Sequence, residues 1–225
     1  MSTPDPSRTL ANYLTQDRLR SYLAASHNRL PAALALYDWN AAMSAALHED
    51  LSRVEVVLRN TIDTSLQTHT SARSRSTSAW YEKNSFFPGR HGQRALEDIA
   101  GARRRASRGS PIAPHGNVIA ELTFGFWRYL CTPTYLTSMW VPALADGFAN
   151  HPHSSSPRLV RADVEDRVQR AHFVRNRVAH HEPIHQRDIA RDYASMSELL
   201  DWINHDVATW FTDNSRTLAV LATRP

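Results

Sequence analysis

The sequence predicts an all-α protein, and three observations indicate this fold class. Only 7 glycines occur among 225 residues. Strict alternation of β-branched and polar residues, the pattern of half-buried strands, is nearly absent. Apolar residues instead recur three or four positions apart, which is the spacing of one helix face. A chain of this length is expected to form one domain, residues 1–225, with a basic insertion at about residues 71–110.

The N-terminal half is predicted to contain two helices. Thr15 can cap the first, at residues 16–23, because a threonine hydroxyl accepts a hydrogen bond from a free backbone N–H at a helix start. Pro31 suits the first residue of a second, much longer helix that runs to about Thr68. One apolar stripe follows this long helix and consists of Leu47, Leu51, Val54, Leu58, Ile62 and Leu66.

Glu55 falls inside this apolar stripe, with Arg59 at its edge, when residues are placed about 100° apart around the helix. A carboxylate directed into a core is costly unless a cation or hydrogen-bond donors compensate it. Two interpretations follow. Glu55 is a buried structural partner of an arginine elsewhere, with Arg175 well placed for that role, or it belongs to a catalytic centre.

Residues 71–110 carry a concentrated positive charge. They hold nine basic and three acidic residues, and the difference, 9 − 3 = +6, exceeds the net charge of +4 for the whole chain. The segment also contains the aromatic residues Trp80, Tyr81, Phe86 and Phe87. Basic side chains near aromatic rings can bind a phosphate backbone and stack bases. The alternative is a surface loop and a surface helix at residues 93–105, with the aromatic rings in the core. RNA contact is expected from Arg103, Arg104, Arg105 and Arg108.

The second half of the chain is predicted to be helical with one polar break. Three helices are predicted at residues 118–130, with Asn117 as the cap, at residues 135–148 and at residues 189–211. The polar break at residues 151–157 precedes another helix that begins near Arg158. Aromatic residues in these helices are expected in the core or in a dimer interface.

Residues 173–185 concentrate groups that bind phosphate or transfer protons, and they suit RNA cleavage without a metal. A neutral histidine such as His180 can take the proton from a ribose 2′-hydroxyl. Arg175 or Arg177 can stabilise the charge that develops on the phosphoryl oxygens. Asn176 can orient the histidine or the phosphate. On one ideal helix, His180 projects about 140° away from Arg175. A site that uses both residues therefore requires an early helix end or a second copy of the chain.

Other chemistries remain open at this point. His181 and His185 stand four apart with Glu182 between them, a spacing found in helical metal sites, but Pro183 interrupts a regular helix there. Residues 181–185 read His-Glu-Pro-Ile-His, which has the letters of the HExxH zinc motif, but that motif requires the regular helix that Pro183 interrupts. No GxSxG pattern occurs, and Cys131 has no evident base beside it. No metal or cofactor is expected. A non-catalytic binding module is the main alternative to an enzyme.

The composition bears on the partners of the protein and on the compartment in which it works. Of the 26 basic residues only Lys83 is lysine, a bias that suits phosphate recognition and that a GC-rich genome also explains. A single cysteine excludes an internal disulfide. The chain lacks an apolar run of about 18 residues, and residues 1–8 lack the pattern of a secretion signal. A cytoplasmic protein without membrane contact is expected.

Residues 175–180, Arg-Asn-Arg-Val-Ala-His, resemble the Arg-x4–6-His signature of the HEPN superfamily. The residues that support the resemblance occur, in the order seen in Abi-like (abortive infection) proteins, at 36–40, 54–60, 122–127 and 175–183. The resemblance implies a HEPN-like helical bundle that forms a homodimer with a shared cleft. It also implies endoribonuclease activity in phage defence or as a toxin, with a possible antitoxin protein as partner.

The resemblance also implies roles for individual residues. Arg175 and His180 match the catalytic pair, and Asn176 matches the polar position that often follows the arginine. Arg177 and His181 lie beside this pair and are expected to support it. The N-terminal motif of the family is matched by Glu55, Arg59 and Asn60. Some HEPN proteins are inactive, so a non-catalytic RNA- or protein-binding module of the same fold stays the alternative.

Overall fold

The computed structural model describes residues 6–74, 78–110 and 112–225. These residues are helical and include no β-strand, which confirms the predicted fold class. The α-helices among them are α1 (Pro6–Leu14), α2 (Gln16–Ala25), α3 (Leu30–Ser74), α4 (Gly89–Ser107), α5 (His115–Glu121), α6 (Phe124–Leu130), α7 (Pro157–Ala179), α8 (Ile189–Ile203), α9 (His205–Asn214) and α10 (Thr217–Leu221).

The long helix α3 is the centre of the structure. It has 45 residues, and at about 1.5 Å per residue it is roughly 67 Å long. It begins at Leu30, one residue before Pro31, which was predicted as its first residue, and it continues past Thr68 to Ser74. Helices α2, α7, α8 and α10 pack against it. The predicted apolar stripe is buried at every position, namely Leu47, Leu51, Val54, Leu58, Ile62 and Leu66. No described helix, α3 included, combines the length and the hydropathy that a membrane span requires.

One helix cap is confirmed and another prediction is wrong. The side chain of Thr15 accepts a hydrogen bond from the backbone N–H of Arg18 at 3.4 Å, so Thr15 caps α2. Asn117 does not cap a helix over residues 118–130, because it lies inside α5. Leu122 adopts an extended conformation that separates α5 from α6, and the hydroxyl of Thr123 then caps α6.

The predicted helix at residues 135–148 is also wrong. This part of the chain consists of short tight turns rather than one α-helix. They are the 3-10 turn Pro133–Tyr135, the π-helical turn Leu136–Trp140 and the 3-10 turn Leu144–Phe148. Pro142 accounts for the interruption, since proline has no backbone N–H to donate and its ring clashes with the preceding turn.

The predicted C-terminal helix at residues 189–211 is interrupted at Asn204. The backbone of Asn204 is extended, and its side-chain oxygen accepts hydrogen bonds from the N–H groups of Asp206 and Val207 at 2.8 and 3.2 Å. These bonds satisfy two free donors at the start of α9. The result is two helices, α8 and α9, in place of one.

The basic segment at residues 71–110 contributes its aromatic rings to the core. After the end of α3 it forms two 3-10 turns, Trp80–Glu82 and Asn84–Phe86, followed by α4. The four aromatic side chains are buried, namely Trp80, Tyr81, Phe86 and Phe87. The alternative interpretation, which places these rings in the core, is therefore confirmed, and the rings are not available to stack RNA bases. Arg75 lies outside the described residues.

Cys131 follows directly after α6 and is fully buried. Its Sγ donates a hydrogen bond to the carbonyl oxygen of Trp127 at 3.4 Å. Burial raises the pKa of the thiol to about 12. The thiol is therefore protonated at neutral pH and is not a nucleophile.

Gly147 sits where the 3-10 turn Leu144–Phe148 approaches α3. A Cβ atom at this position would lie 2.7 Å from Ser65 Oγ and 2.9 Å from Thr61 Cγ2. Both distances are shorter than van der Waals contact. Thr61 is β-branched and stiff, so it cannot easily move away.

Gly147→Ala is expected to lower the free energy of unfolding by about 1–3 kcal/mol through this overpacking. Urea denaturation of the wild type and the variant measures the change. Gly116→Ala is the matched control, because a Cβ at Gly116 meets no atom within 4 Å. Equal stability of the two variants would contradict the close approach.

Candidate active site

The motif of residues 173–185 lies at the C-terminal end of α7 and in the turn that follows. His180 caps the helix, and His181 adopts a left-handed conformation with φ of 55°. The N–H of His181 donates to the carbonyl of Val178, and the N–H of Glu182 donates to the carbonyl of Arg177. This pair of bonds is the Schellman arrangement that reverses the chain at a helix end.

Three side chains hold the turn in place. Arg18 of α2 donates a hydrogen bond to the carbonyl oxygen of His181. Arg177 donates to the carbonyl oxygen of Pro183 at 2.9 Å. Asn40, buried on α3, accepts a hydrogen bond from the N–H of Ile184 at 2.8 Å. The turn is therefore fixed from both neighbouring helices as well as from within.

The expected ion pair between Glu55 and Arg175 does not form. Among the described residues, no ion pair within 4.0 Å involves Glu55. The two side chains are nevertheless neighbours. Burial raises the pKa of Glu55, and the positive charges of Arg175, Arg59 and His48 act against that rise. Arg175 donates a long hydrogen bond of 3.5 Å to Asn176 Oδ1.

His172 is a functional candidate that the sequence reasoning missed. It lies three residues before Arg175 and four before Asn176, so the three side chains share one face of α7. Its ring is half-buried against Phe124, with the ring centroids 5.7 Å apart. Burial lowers the pKa of His172, and the charges of Arg128 and Arg175 lower it further. The imidazole is therefore neutral at physiological pH and able to accept a proton.

These residues form what we call the α3–α7 cluster, defined as Glu55, Arg59, Arg128, His172 and Arg175. It contains three arginines and one carboxylate, so its charge is positive when His172 is neutral. The Nε atoms of Arg59 and Arg128 are buried and have no hydrogen-bond partner among the described residues. A half-buried group of uncompensated cations suits the binding of an anion.

The structure does not bring His180 to this cluster within one chain. The His180 side chain is exposed, and no hydrogen bond or ring contact among the described residues joins it to Arg175. This agrees with the separation of the two residues around α7. Asn176 is half-buried beside Arg175, whereas Asn60 is exposed on α3.

Arg177 has a structural role in addition to the one expected. It forms an ion pair with Glu182 at 3.2 Å, bonds to the carbonyl of Pro183, and lies 5.7 Å from the ring centroid of Phe173. It is therefore less free to bind a substrate phosphate than Arg175.

A groove of about 740 Å³ adjoins the end of the motif. It runs between α2, α3 and the end of α7, and Arg18, Tyr37, His48, Ala179 and His181 are among the residues that line it. Two of these lining residues, Ala179 and His181, are the direct neighbours of His180 in the chain. A polymer that occupied the groove would pass this histidine.

The predicted RNA-binding arginines divide into two pairs. Arg103 forms an ion pair with Glu82 at 3.4 Å, and Arg105 forms one with Glu121 at 2.9 Å. Arg104 and Arg108 are exposed, and among the described residues neither forms an ion pair. Arg104 and Arg108 can therefore contact an RNA backbone directly, whereas Arg103 and Arg105 would first have to leave their carboxylate partners.

His181 and His185 do not form the helical pair that a metal site at this spacing requires. Both follow the end of α7, and they lie in different surroundings. His181 is exposed, whereas His185 is buried with its ring centroid 4.6 Å from that of Tyr22. The described residues contain no group of three or more His, Cys, Asp or Glu side chains arranged to hold a metal ion.

Comparison of the chain with protein-family models, with curated proteins and with solved structures gives no match. Its function must therefore be inferred from the motif and from the geometry of the cluster.

Acidification is expected to destabilise the protein through its buried histidines. Burial is the main cause that lowers the pKa of His151, His172 and His185 below the ordinary value near 6.5. Below that value the unfolded chain binds more protons than the folded one, so the free energy of unfolding falls as the pH drops. Urea denaturation between pH 7.5 and 5 should show this decrease.

His185→Phe keeps a ring beside Tyr22 but removes the titrating group, so its stability should depend less steeply on pH than that of the wild type. His180→Gln removes an exposed imidazole and serves as the control. If the stability of His185→Phe depends on pH as steeply as that of the wild type, burial of His185 is not a cause of the pH dependence.

Proposed function

We propose that the chain is a metal-independent endoribonuclease of the HEPN type, similar to the Abi-like proteins that residues 175–180 resemble. The observation that carries the proposal is the state of Arg175. Its guanidinium lies in a positive, half-buried cluster and has no ion-pair partner among the residues that the structure describes, and a neutral histidine stands one turn away on the same helix face. A phosphodiester supplies further negative charge to a cluster in which three arginines face the single carboxylate of Glu55.

Each step of the reaction uses a group of this chain. A neutral histidine accepts the proton of a ribose 2′-hydroxyl, and the O2′ atom forms a bond to the adjacent phosphorus. The bond from phosphorus to O5′ breaks, and O5′ takes up a proton from a second acid or from water. The products are a 2′,3′-cyclic phosphate and a 5′-hydroxyl end. Arg175 stabilises the charge on the phosphoryl oxygens, and Asn176 helps to hold the guanidinium.

Two histidines can serve as the proton acceptor. His180 is the residue that the resemblance indicates, and it reaches Arg175 if two copies of the chain form a homodimer in which α7 of each faces the other. His172 lies beside Arg175 in the same chain. The homodimer is part of this proposal, since the site with His180 is incomplete without it.

The biological role that accompanies this activity in Abi-like proteins is phage defence or toxicity. Uncontrolled RNA cleavage harms the cell that makes the enzyme, so a trigger or a neutralising antitoxin protein belongs to the same proposal. The alternative is a non-catalytic module of the HEPN fold that binds RNA or protein.

Cleavage of end-labelled total RNA in EDTA is expected, with cyclic-phosphate ends in the products. His180→Ala should reduce the rate by about 10²–10⁴-fold, the range typical of a lost general acid or base. Arg175→Ala should reduce it as well, because the guanidinium stabilises charge in the transition state. Sequencing of the ends maps the cleavage sites.

His172→Asn distinguishes the two proton acceptors. If only His180→Ala loses activity, the shared site of a dimer is supported, and if only His172→Asn does, the acceptor lies within one chain. Gln169→Ala, at an exposed position of α7, is the control for nonspecific effects. If the wild type binds RNA but does not cut it, with or without added metal, the enzyme proposal fails and the binding module is favoured.

A further inference from the structure

A second groove, of about 360 Å³, lies at the far end of α3 from the N-terminus. It is bounded by the last turns of α3, by the chain between the two 3-10 turns that follow, and by the π-helical turn Leu136–Trp140. Along α3, Arg73 of this groove is 14 residues from Arg59, a distance of about 21 Å at 1.5 Å per residue. The groove shares no residue with the α3–α7 cluster.

The lining of this groove is cationic and rich in hydroxyl groups. Arg73 and Lys83 supply two full positive charges, and His69 supplies a third nitrogen-bearing side chain. Hydroxyl groups come from Ser85 and Thr137, and no aspartate or glutamate among the described residues lines the groove. Thr70 and Ser138 also line it, but their hydroxyls already donate to the carbonyl oxygens of Leu66 and Phe86. Ammonium, guanidinium and hydroxyl donors without a competing carboxylate are the groups that bind phosphate.

The two cations are not used by the protein itself. Arg73 is exposed near the end of α3, whereas several half-buried arginines of the chain pair with a carboxylate, as Arg187 does with Asp192 at 2.8 Å. Among the described residues, neither Arg73 nor Lys83 takes part in any ion pair. Lys83, the single lysine of the chain, is half-buried rather than extended into solvent.

The walls of the groove are held by the core. Lys83 lies between two 3-10 turns whose rings, Trp80, Tyr81 and Phe86, are buried. Ser138 donates a hydrogen bond to the carbonyl oxygen of Phe86 at 3.1 Å, which joins the second of these turns to the π-helical turn. The backbone that carries Lys83 and Ser85 is therefore fixed before a ligand binds, and less conformational entropy is lost on binding.

The end of α3 offers another explanation for the cations of this groove. The C-terminal end of a helix carries a partial negative charge equivalent to about half an elementary charge, which attracts cations such as Arg73. Two full charges exceed that amount. The helix end therefore accounts for part of the positive charge and leaves the rest uncompensated.

We propose that this groove binds a phosphate group. The phosphate belongs either to the backbone of an RNA strand or to a small phosphorylated compound, and the same donors serve both. This inference goes beyond the proposed cleavage reaction and does not depend on it.

The test uses Arg73→Gln combined with Lys83→Gln in the full chain, with Arg158→Gln combined with Arg191→Gln as the control. Both controls remove exposed arginines outside the groove, so the two double variants have the same net charge. The RNA probe is a short single-stranded 2′-O-methyl oligonucleotide with a fluorophore. It lacks a free 2′-hydroxyl, so its binding is measured without cleavage and a failed cleavage assay cannot disturb the result.

Fluorescence anisotropy over a range of salt concentrations measures the binding. Each lost phosphate contact should reduce the slope of log K against log salt by about 0.7, which is about fivefold in affinity at 0.1 M salt. The control variants should keep the wild-type slope. The second probe is inorganic phosphate, added to isotope-labelled protein while the NMR signals of the Lys83 and Ser138 amides are followed, with chloride for comparison.

A smaller slope in the groove variant supports the proposal and identifies the RNA backbone as the source. Phosphate-dependent shifts that the groove variant loses, with RNA binding unchanged, also support it and identify a small phosphorylated compound. The proposal is overturned if wild-type protein shows neither effect. It is equally overturned if the groove variant only melts at a lower temperature with both kinds of binding intact, because its cations then serve the end of α3. If the groove variant does not fold, the phosphate titration of the wild type decides.

Discussion

Burial of one apolar stripe along α3 is the constraint on which the rest of the structure depends. Each large aliphatic side chain removed from water contributes about 1.5–3 kcal/mol, and six of them follow this helix at helical spacing. Helix α7 has a stripe of its own, with Val164, Val168 and Val174 among its buried residues, and packs against α3. The contact of two apolar stripes leaves the polar edges of both helices side by side. The positions of Glu55 and Arg175 are a consequence of that packing.

The carboxylate of this cluster is hydrogen-bonded differently from the buried carboxylates elsewhere in the molecule. Asp50, fully buried, accepts hydrogen bonds from Arg53, Ser215 and Thr217. The buried Asp192 accepts two from Arg187. Glu55 has no such partner in the described part of the chain, although arginines stand near it. Burying charge without hydrogen bonds lowers stability. The cluster is therefore poorly arranged for stability and well arranged for an anionic ligand.

The sequence predicted the main helices because their apolar residues recur at helical spacing over many turns. It predicted interruptions poorly, since these depend on which of several polar residues caps a helix. Asn117 and Thr123 are both good caps, and only the extended backbone at Leu122 decides for Thr123. The role of Asn204 is likewise settled by two hydrogen bonds that spacing does not specify.

The candidate site was likewise predicted only in part. The motif around Arg175 was visible in the sequence as a concentration of functional groups. His172 was not, because its environment comes from Phe124 and Arg128 on another helix. Spacing of three and four residues from Arg175 and Asn176 was the one signal that could have indicated it. The missing ion pair of Glu55 could not have been predicted, because a helical projection gives directions and no distances.

The state of Cys131 has a practical consequence for study of the chain. Its thiol is enclosed by the core and stays protonated, so maleimides and mild oxidants that attack exposed thiolates have little access to it. A cysteine introduced on the surface would then be the sole reactive thiol. Spectroscopic labels could be attached one at a time to the natural background, with the native cysteine left in place.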